Sequence, residues 1–190
     1  HSSPMPSADM LKSDDTLLEG AAVTRYKRLL GMLHYFVRGT RWDIAAAVSF
    51  LSQFNSNPTV GAMSALQYLC GYLRGTWDFK LTVTRGDAPD MFHIYVDAAH
   101  LAPRSQTGVL ILMNGVPVHW RSNRQASCAD SPAVAEIYGL KEGVKDARLF
   151  MWVAEEMGLK VQYPFVVQVD SKQAISFQED TCPRSRIRGS

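Results

Sequence analysis

The stretch Phe92-His93-Ile94-Tyr95-Val96-Asp97 decides the fold that this chain is expected to adopt. Its apolar, aromatic and β-branched residues predict a buried strand, with successive side chains on opposite faces of a sheet. The run ends on Asp97, so we expect a carboxylate held rigidly at the end of a strand. A second segment of the same kind, Phe165-Val166-Val167-Gln168-Val169-Asp170, also leads from strand residues into an aspartate.

A hairpin and a long helix are predicted between these two strands. Residues 107–113 and 116–121 flank Asn114-Gly115, the dipeptide most typical of a tight β-hairpin, so these strands should be antiparallel neighbours. Asp130-Ser131-Pro132 then predicts a helix to Met157, with Asp130 or Ser131 as its N-cap and proline at its first position. Glu136 lies near the start of this helix.

The first part of the chain has a helical pattern. Residues 1–20 are rich in Ser, Pro and Asp without periodicity, which indicates a flexible lead-in. Apolar residues at intervals of three or four predict helices over 23–37, 42–54 and 59–73, and an alternation of period two predicts a strand over 77–84. A turn at 86–89 precedes the Asp97 strand, and residues 172–177 should begin a short helix before a basic tail with Arg184, Arg186 and Arg188.

These elements predict an α/β (α+β) fold with a mixed sheet. We expect three regions: a lead-in over residues 1–20, a three-helix bundle over 21–76, and a sheet-containing domain over 77–190.

Composition favours an ordinary globular protein. The 190 residues are 46% hydrophobic and 20% charged, and a net charge of +2 does not by itself indicate a nucleic-acid partner. Cys70, Cys128 and Cys182 have no metal-ligand spacing, so we expect reduced thiols in an intracellular protein. We find neither a signal peptide nor an apolar run long enough to span a membrane, so no membrane partner is expected.

Asp97, Glu136 and Asp170 suggest a site for divalent metal. Hard ions such as Mg²⁺ are held by a few carboxylates together with substrate phosphate oxygens. Strand-end aspartates are also common turn formers, and an early-helix glutamate complements the helix dipole. The three together, on elements in the order strand, hairpin, helix, strand, favour a metal site over these structural roles.

The chain resembles the end of the reverse transcriptase and the ribonuclease H domain of copia-type retrotransposon polyproteins. The resemblance covers nearly the whole chain. The matching runs in the first half are Tyr26-Lys27-Arg28 with Gly31 and Tyr35, Arg41-Trp42-Asp43-Ile44-Ala45, and Tyr72-Leu73-Arg74-Gly75-Thr76. Those in the second half are Asp97-Ala98, Trp120-Arg121-Ser122 with Gln125, Ala135-Glu136, and Asp170 with Ala174-Ile175.

The resemblance implies a ribonuclease-H-like fold and hydrolysis of the RNA strand of RNA–DNA hybrids. Asp97, Glu136 and Asp170 would hold two Mg²⁺ ions, for which Mn²⁺ can substitute, and act as the catalytic residues. Glu136 is preferred over Glu142 because it leaves the small Gly139 and Gly143 on the side of the helix that approaches the sheet. The implied partner is a polymerase domain in the same polyprotein, within a cytoplasmic particle or the nucleus.

The chain departs from the family pattern at three places. Ala99-His100 stands where the family usually has an acidic residue, and Val134 stands where it usually has Glu. A fourth carboxylate is expected on a later helix, about where the sequence stops, and Glu179 and Asp180 come too early to replace it. A chain truncated in this way would be expected to bind hybrid and to cleave it poorly.

Basic and polar residues in two loops, and basic residues on the first helix, are candidates for nucleic-acid binding. Ribonucleases H contact 2′-OH groups of the RNA and phosphates of the DNA. The candidates are Arg104, Ser105 and Gln106; Arg121, Ser122, Asn123, Arg124 and Gln125; and Arg25, Lys27 and Arg28.

Two other functions compete with this interpretation. One is a ribonuclease-H-like module with weakened catalysis that binds hybrid or serves as a structural connection. The other is a transposase or integrase core, which places its glutamate after the second aspartate. Glu136 precedes Asp170, and this order disfavours the integrase alternative.

Overall fold

The computed structural model describes residues 3–7, 14–83, 91–101, 103–163, 165–170 and 188–189. The predicted turn at 86–89, the helix at 172–177, Glu179, Asp180, Arg184 and Arg186 lie outside these residues. The chain divides into two compact units, His1–Leu81 and Thr82–Ser190. No helix in the described part of the chain is both long and apolar enough to span a membrane.

The first unit is built from helices α1 (Ala21–Gly39), α2 (Ala45–Ser52) and α3 (Val60–Gly75), with a 3-10 turn at Trp42–Ile44. The predicted helices are confirmed. Their apolar residues form one core, in which the Tyr26 hydroxyl donates a hydrogen bond to the Leu51 carbonyl at 2.8 Å. The buried members are Tyr26, Leu30, Leu33, Ile44, Ala47, Val48, Leu51, Ala62, Ala65, Leu66, Leu69 and Tyr72.

Two expectations for this unit are wrong. Residues 14–18 are not a free lead-in, because the Asp14 and Thr16 carbonyls accept hydrogen bonds from Gly61 and Val60, at 2.9 Å each, at the start of α3. They satisfy N–H groups that a helix start leaves unpaired. Residues 77–83 form no strand. Phe79 instead lies against the Arg41 guanidinium, 5.6 Å from the ring centroid, so the alternation does not reflect sheet pairing.

Within its described residues, the second unit contains a five-stranded mixed sheet in the order β3-β2-β1-β4-β5. Its strands are β1 (Phe92–Ala99), β2 (Gln106–Met113), β3 (Val116–Arg124), β4 (Val166–Val169) and the two-residue β5 (Arg188–Gly189). β2 pairs antiparallel with both β1 and β3, whereas β4 is parallel to β1 and β5 is parallel to β4. Arg188, expected in a basic tail, therefore lies in a strand.

Helix α4 (Pro132–Glu156) packs on the sheet and shares a hydrophobic core with β1, β2 and β4. It begins as predicted: the Ser131 hydroxyl accepts a hydrogen bond from the Val134 amide at 3.3 Å, and proline is at the first position. The hairpin turn is also as predicted, since Asn114 and Gly115 both have positive φ, 51° and 80°. The α/β class is confirmed, in an arrangement consistent with the ribonuclease-H-like fold.

Candidate metal centre

Three carboxylates from different parts of the chain meet near the C-terminal ends of the neighbouring strands β1 and β4. Asp97 lies on β1, Glu136 on α4, and Asp170 directly after β4. Each offers an oxygen, and these oxygens all lie within 4.8 Å of one another. The residues are separated by tens of positions in the sequence, so only the tertiary fold brings them together.

The pairing of β1 with β4 brings the two aspartates level. The strands are parallel, with Tyr95 opposite Gln168, so the residues two positions further along, Asp97 and Asp170, reach the same height. Asp97 does not end its strand as expected: β1 continues to Ala99, and Asp97 is paired with Gly108 of β2. Its pairing with β2 holds its backbone in place.

Small residues let α4 come close enough for Glu136 to join the aspartates. A Cβ atom added at Gly139 would lie 3.2 Å from Ala98 Cβ, and one added at Gly143 would overlap Val96 Cγ2. The two glycines therefore face β1, as expected. Glu142 lies elsewhere, paired with Arg121 at 3.1 Å.

The environment of Glu136 disfavours its charge. Partial burial, with the nearby Asp97 and then Asp170 carboxylates, raises the pKa of Glu136 to about 7, against a smaller opposing effect from a backbone hydrogen bond with Ala98. Its Oε2 atom is buried and has no hydrogen-bond partner within the described residues. A carboxylate oxygen in this position would be stabilised by a cation or by a proton donor.

This set of donors suits a hard divalent cation. All three are carboxylates, the ligand type typical of Mg²⁺ and Mn²⁺ sites, and the cluster contains no Cys or His ligand of the kind favoured by Zn²⁺. Two exposed aspartates leave one side of the cluster open for substrate oxygens and water. The unpartnered Glu136 oxygen and the oxygen-only donor set therefore fit the expected ion.

Ser105 and Gln125, expected to contact nucleic acid, are buried. Ser105 is 0% exposed and Gln125 7% exposed, so neither side chain can reach an external ligand without rearrangement. The Ser105 hydroxyl lies 3.3 Å from His100 Nδ1, and the Gln125 amide nitrogen bonds to Thr107 and to the Ala135 carbonyl. Both side chains therefore form hydrogen bonds within the protein.

The remaining loop candidates differ in accessibility. Arg104, Asn123 and Arg124 are exposed and free to face a ligand, whereas Gln106 and Ser122 are half-buried and joined by a 2.9 Å hydrogen bond.

Arg121 forms ion pairs with Asp146 and Glu142 of α4, so its charge is largely neutralised inside the unit. Sequence reasoning missed these partners, although both acidic residues lie on the predicted helix at a spacing of four.

In the first unit the candidate cations lie on α1. Arg25, Lys27 and Arg28 are all exposed, and α1 contains no acidic residue. Sequence reasoning missed the buried Arg41, whose guanidinium bonds to Asp43 at 2.8 and 2.9 Å and to the Thr76 hydroxyl at 2.7 Å. This network ties the 3-10 turn to the end of α3.

Comparison with known proteins finds similarity to transposon polyproteins. The chain is 30% identical over 167 residues to the retrovirus-related Pol polyprotein from transposon TNT 1-94 of Nicotiana tabacum, over 86% of this chain and 12% of the polyprotein. It is 28% identical over 169 residues to that from transposon RE1 of Arabidopsis thaliana, over 87% and 11%. The chain therefore spans about an eighth of these relatives.

A shorter protein is also similar. Secreted RxLR effector protein 161 of Plasmopara viticola is 35% identical over 126 residues, which make up 64% of this chain and 88% of that protein. No family model matches the chain.

Proposed function

The chain belongs to the copia-type retrotransposon polyproteins, the retrovirus-related Pol polyproteins of plant transposons, and from this membership we propose that its second unit is a ribonuclease H. Its reaction would be hydrolysis of the RNA strand of RNA–DNA hybrids with two divalent ions. The observation that carries the proposal is the convergence of Asp97, Glu136 and Asp170 within 4.8 Å.

Phosphodiester hydrolysis explains why acidic residues would be gathered in this way. Asp97, Glu136 and Asp170 would hold two Mg²⁺ ions, which when bound would supply activation of a water molecule and stabilisation of the leaving oxygen. Asp97, held in the centre of the sheet, would set the position of the ions, with Asp170 beside it. Glu136 would complete the ligand set with its unpartnered oxygen, and ion binding would displace the proton that the raised pKa retains.

Selection of the hybrid would come from groups beside the carboxylates. Proteins recognise RNA strands through 2′-OH contacts across a shallow minor groove, and basic residues bind phosphates without regard to sequence. In the second unit Arg104, Asn123 and Arg124 are exposed, and we assign them to backbone contacts. The cations of α1 would follow the duplex as a second region of contact.

A labelled-strand assay tests this proposal. The 190-residue chain is incubated with an RNA–DNA hybrid labelled on the RNA or on the DNA strand, with Mg²⁺, Mn²⁺ or chelator. We expect slow, metal-dependent cleavage of the RNA only. Asp97→Asn should lower the rate at least a hundredfold, because an amide is a weaker metal ligand, whereas Asp78→Asn, at an exposed position outside the site, should not.

Two outcomes would contradict the proposal. Hybrid that is bound but left intact with both metals would favour the alternative, a module that binds hybrid or serves as a structural connection. Cleavage that persists in Asp97→Asn would show that the activity does not come from this cluster.

A further inference from the structure

Gln125 occupies an unusual position for a polar side chain at the end of a strand. It follows directly after β3, is only 7% exposed, and its backbone amide donates to the Ser105 carbonyl at 2.8 Å. Its side chain points inward, between the sheet and the start of α4. Two acceptors meet it there: the Thr107 hydroxyl at 2.9 Å and the Ala135 carbonyl at 2.8 Å.

These two acceptors belong to the two elements that carry candidate metal ligands. Ala135 directly precedes Glu136 on α4, and it is fully buried. Thr107 lies on β2 opposite Ala98, next to the pairing of Asp97 with Gly108. The Gln125 amide therefore bridges the residue before Glu136 to the strand pair that holds Asp97.

The orientation of the amide follows from its partners. A carbonyl oxygen only accepts hydrogen bonds, so the group within 2.8 Å of the Ala135 carbonyl must be the Gln125 nitrogen. Gln125 Oε1 has no hydrogen-bond partner within the described residues. A buried amide with one unpartnered atom contributes little net stability, so conformational stability alone does not explain its presence.

We infer that Gln125 is a positioning residue, which sets the distance between Glu136 and Asp97 by clamping the first turn of α4 to β2. The inference rests on the proposed function, because Asp97 and Glu136, whose separation the clamp sets, are the metal ligands in that function. Gly139 and Gly143 let α4 approach β1. The Gln125 bridge then fixes the position of the N-terminal end of α4 along the sheet and its distance from the sheet. Outer hydrogen bonds of this kind orient metal ligands in many sites.

Two substitutions of similar volume test the clamp. Gln125→Met keeps an unbranched side chain and removes the donor, and Thr107→Val removes the strand-side acceptor with little change of shape. The double variant completes a cycle, and Gln162→Met, at an exposed position in the same unit, is the matched control. Each protein is compared with the unmodified chain in three measurements.

The first measurement needs no metal: hydrogen–deuterium exchange of peptides covering residues 132–139. We expect Gln125→Met to speed exchange there by on the order of fivefold, the factor corresponding to one net hydrogen bond. Thr107→Val should act in the same direction. The double variant should add little, because both changes break one bridge. The thermal midpoint should move by only a few degrees.

In the second measurement, MnCl₂ alone is titrated into each protein and binding is measured by calorimetry. Gln125→Met should bind Mn²⁺ roughly tenfold more weakly than the unmodified chain. The third is hybrid cleavage, in which kcat should fall while KM stays within about twofold, because Gln125 does not touch substrate.

If residues 132–139 exchange at the same rate in Gln125→Met as in the Gln162→Met control, the clamp is overturned, whatever the Mn²⁺ titration shows. Faster exchange with unchanged Mn²⁺ affinity would overturn its link to the ligands. An unmodified chain that neither binds Mn²⁺ nor cleaves hybrid would instead remove the proposed function, and the exchange result would then report on the clamp by itself.

Discussion

Replacing Glu136 with Gln should stabilise the metal-free protein at neutral and alkaline pH. Gln has the same shape and can still accept the hydrogen bond from Ala98, but it carries no charge to oppose Asp97 and Asp170. Most substitutions at partly buried sites destabilise a protein, so an increase in stability would be a specific result.

The size of the effect follows from the geometry. Two unit charges about 4.8 Å apart repel by ~0.9 kcal/mol in a water-like dielectric, so two neighbours give about 2 kcal/mol. The water-like limit applies because Asp97 and Asp170 are exposed and screened by solvent. In a unit of about a hundred residues this corresponds to a rise in Tm of roughly 8 °C or more.

The stabilisation should depend on pH. The pKa of Glu136 is about 7 in the folded protein, above its ordinary value of 4.5, so unfolding releases its proton when the pH lies between these values. The stability from the protonated carboxyl is fully present below about pH 4.5 and is lost as the pH rises through about 7. Glu136→Gln should therefore match the unmodified chain at pH 4.5 and exceed it at pH 8.

The assay is thermal unfolding at pH 4.5 and pH 8, in chelator and in Mg²⁺. Glu142→Gln is the control, because it lies on the same helix but loses an ion pair with Arg121 and should gain no stability at pH 8. Mg²⁺ should raise the Tm of the unmodified chain more than that of Glu136→Gln. A Glu136→Gln variant no more stable than the unmodified chain at pH 8, or equally stabilised at both pH values, would refute the reasoning.

Two further predictions concern packing and nucleic-acid binding. Gly143→Ala should destabilise the second unit by about 1–3 kcal/mol, because the added methyl group overlaps Val96 Cγ2. Urea denaturation measures this loss of stability. An unchanged urea midpoint would show that α4 can shift to accommodate the methyl group. Arg124→Ala should weaken hybrid binding and reduce the salt slope by about one, measured by fluorescence anisotropy at several salt concentrations, and an unchanged slope would place Arg124 away from the phosphates.

The sequence was most informative where one stretch determines its own conformation. The Asn114-Gly115 turn and the Ser131 cap follow from local backbone preferences, and both are present in the structure. The alternation at 77–83 was misleading, because Phe79 lies against Arg41 and residues 77–83 pair with no strand. An alternation of period two shows that successive side chains differ in polarity. It does not show whether the segment pairs with other strands in a sheet.

The sequence by itself determined the helices of the first unit, the order of β1 to β4 and α4 in the second, and which three acidic residues could form a cluster. Only the tertiary structure decided that the parallel pairing of β1 with β4 brings Asp97 level with Asp170, that Arg121 is neutralised by α4, and that Gln125 turns inward. The physical reason is the separation along the sequence over which each kind of interaction acts. Periodicity and capping act between residues a few positions apart, whereas strand register and buried polar contacts depend on which distant segments the whole chain packs together.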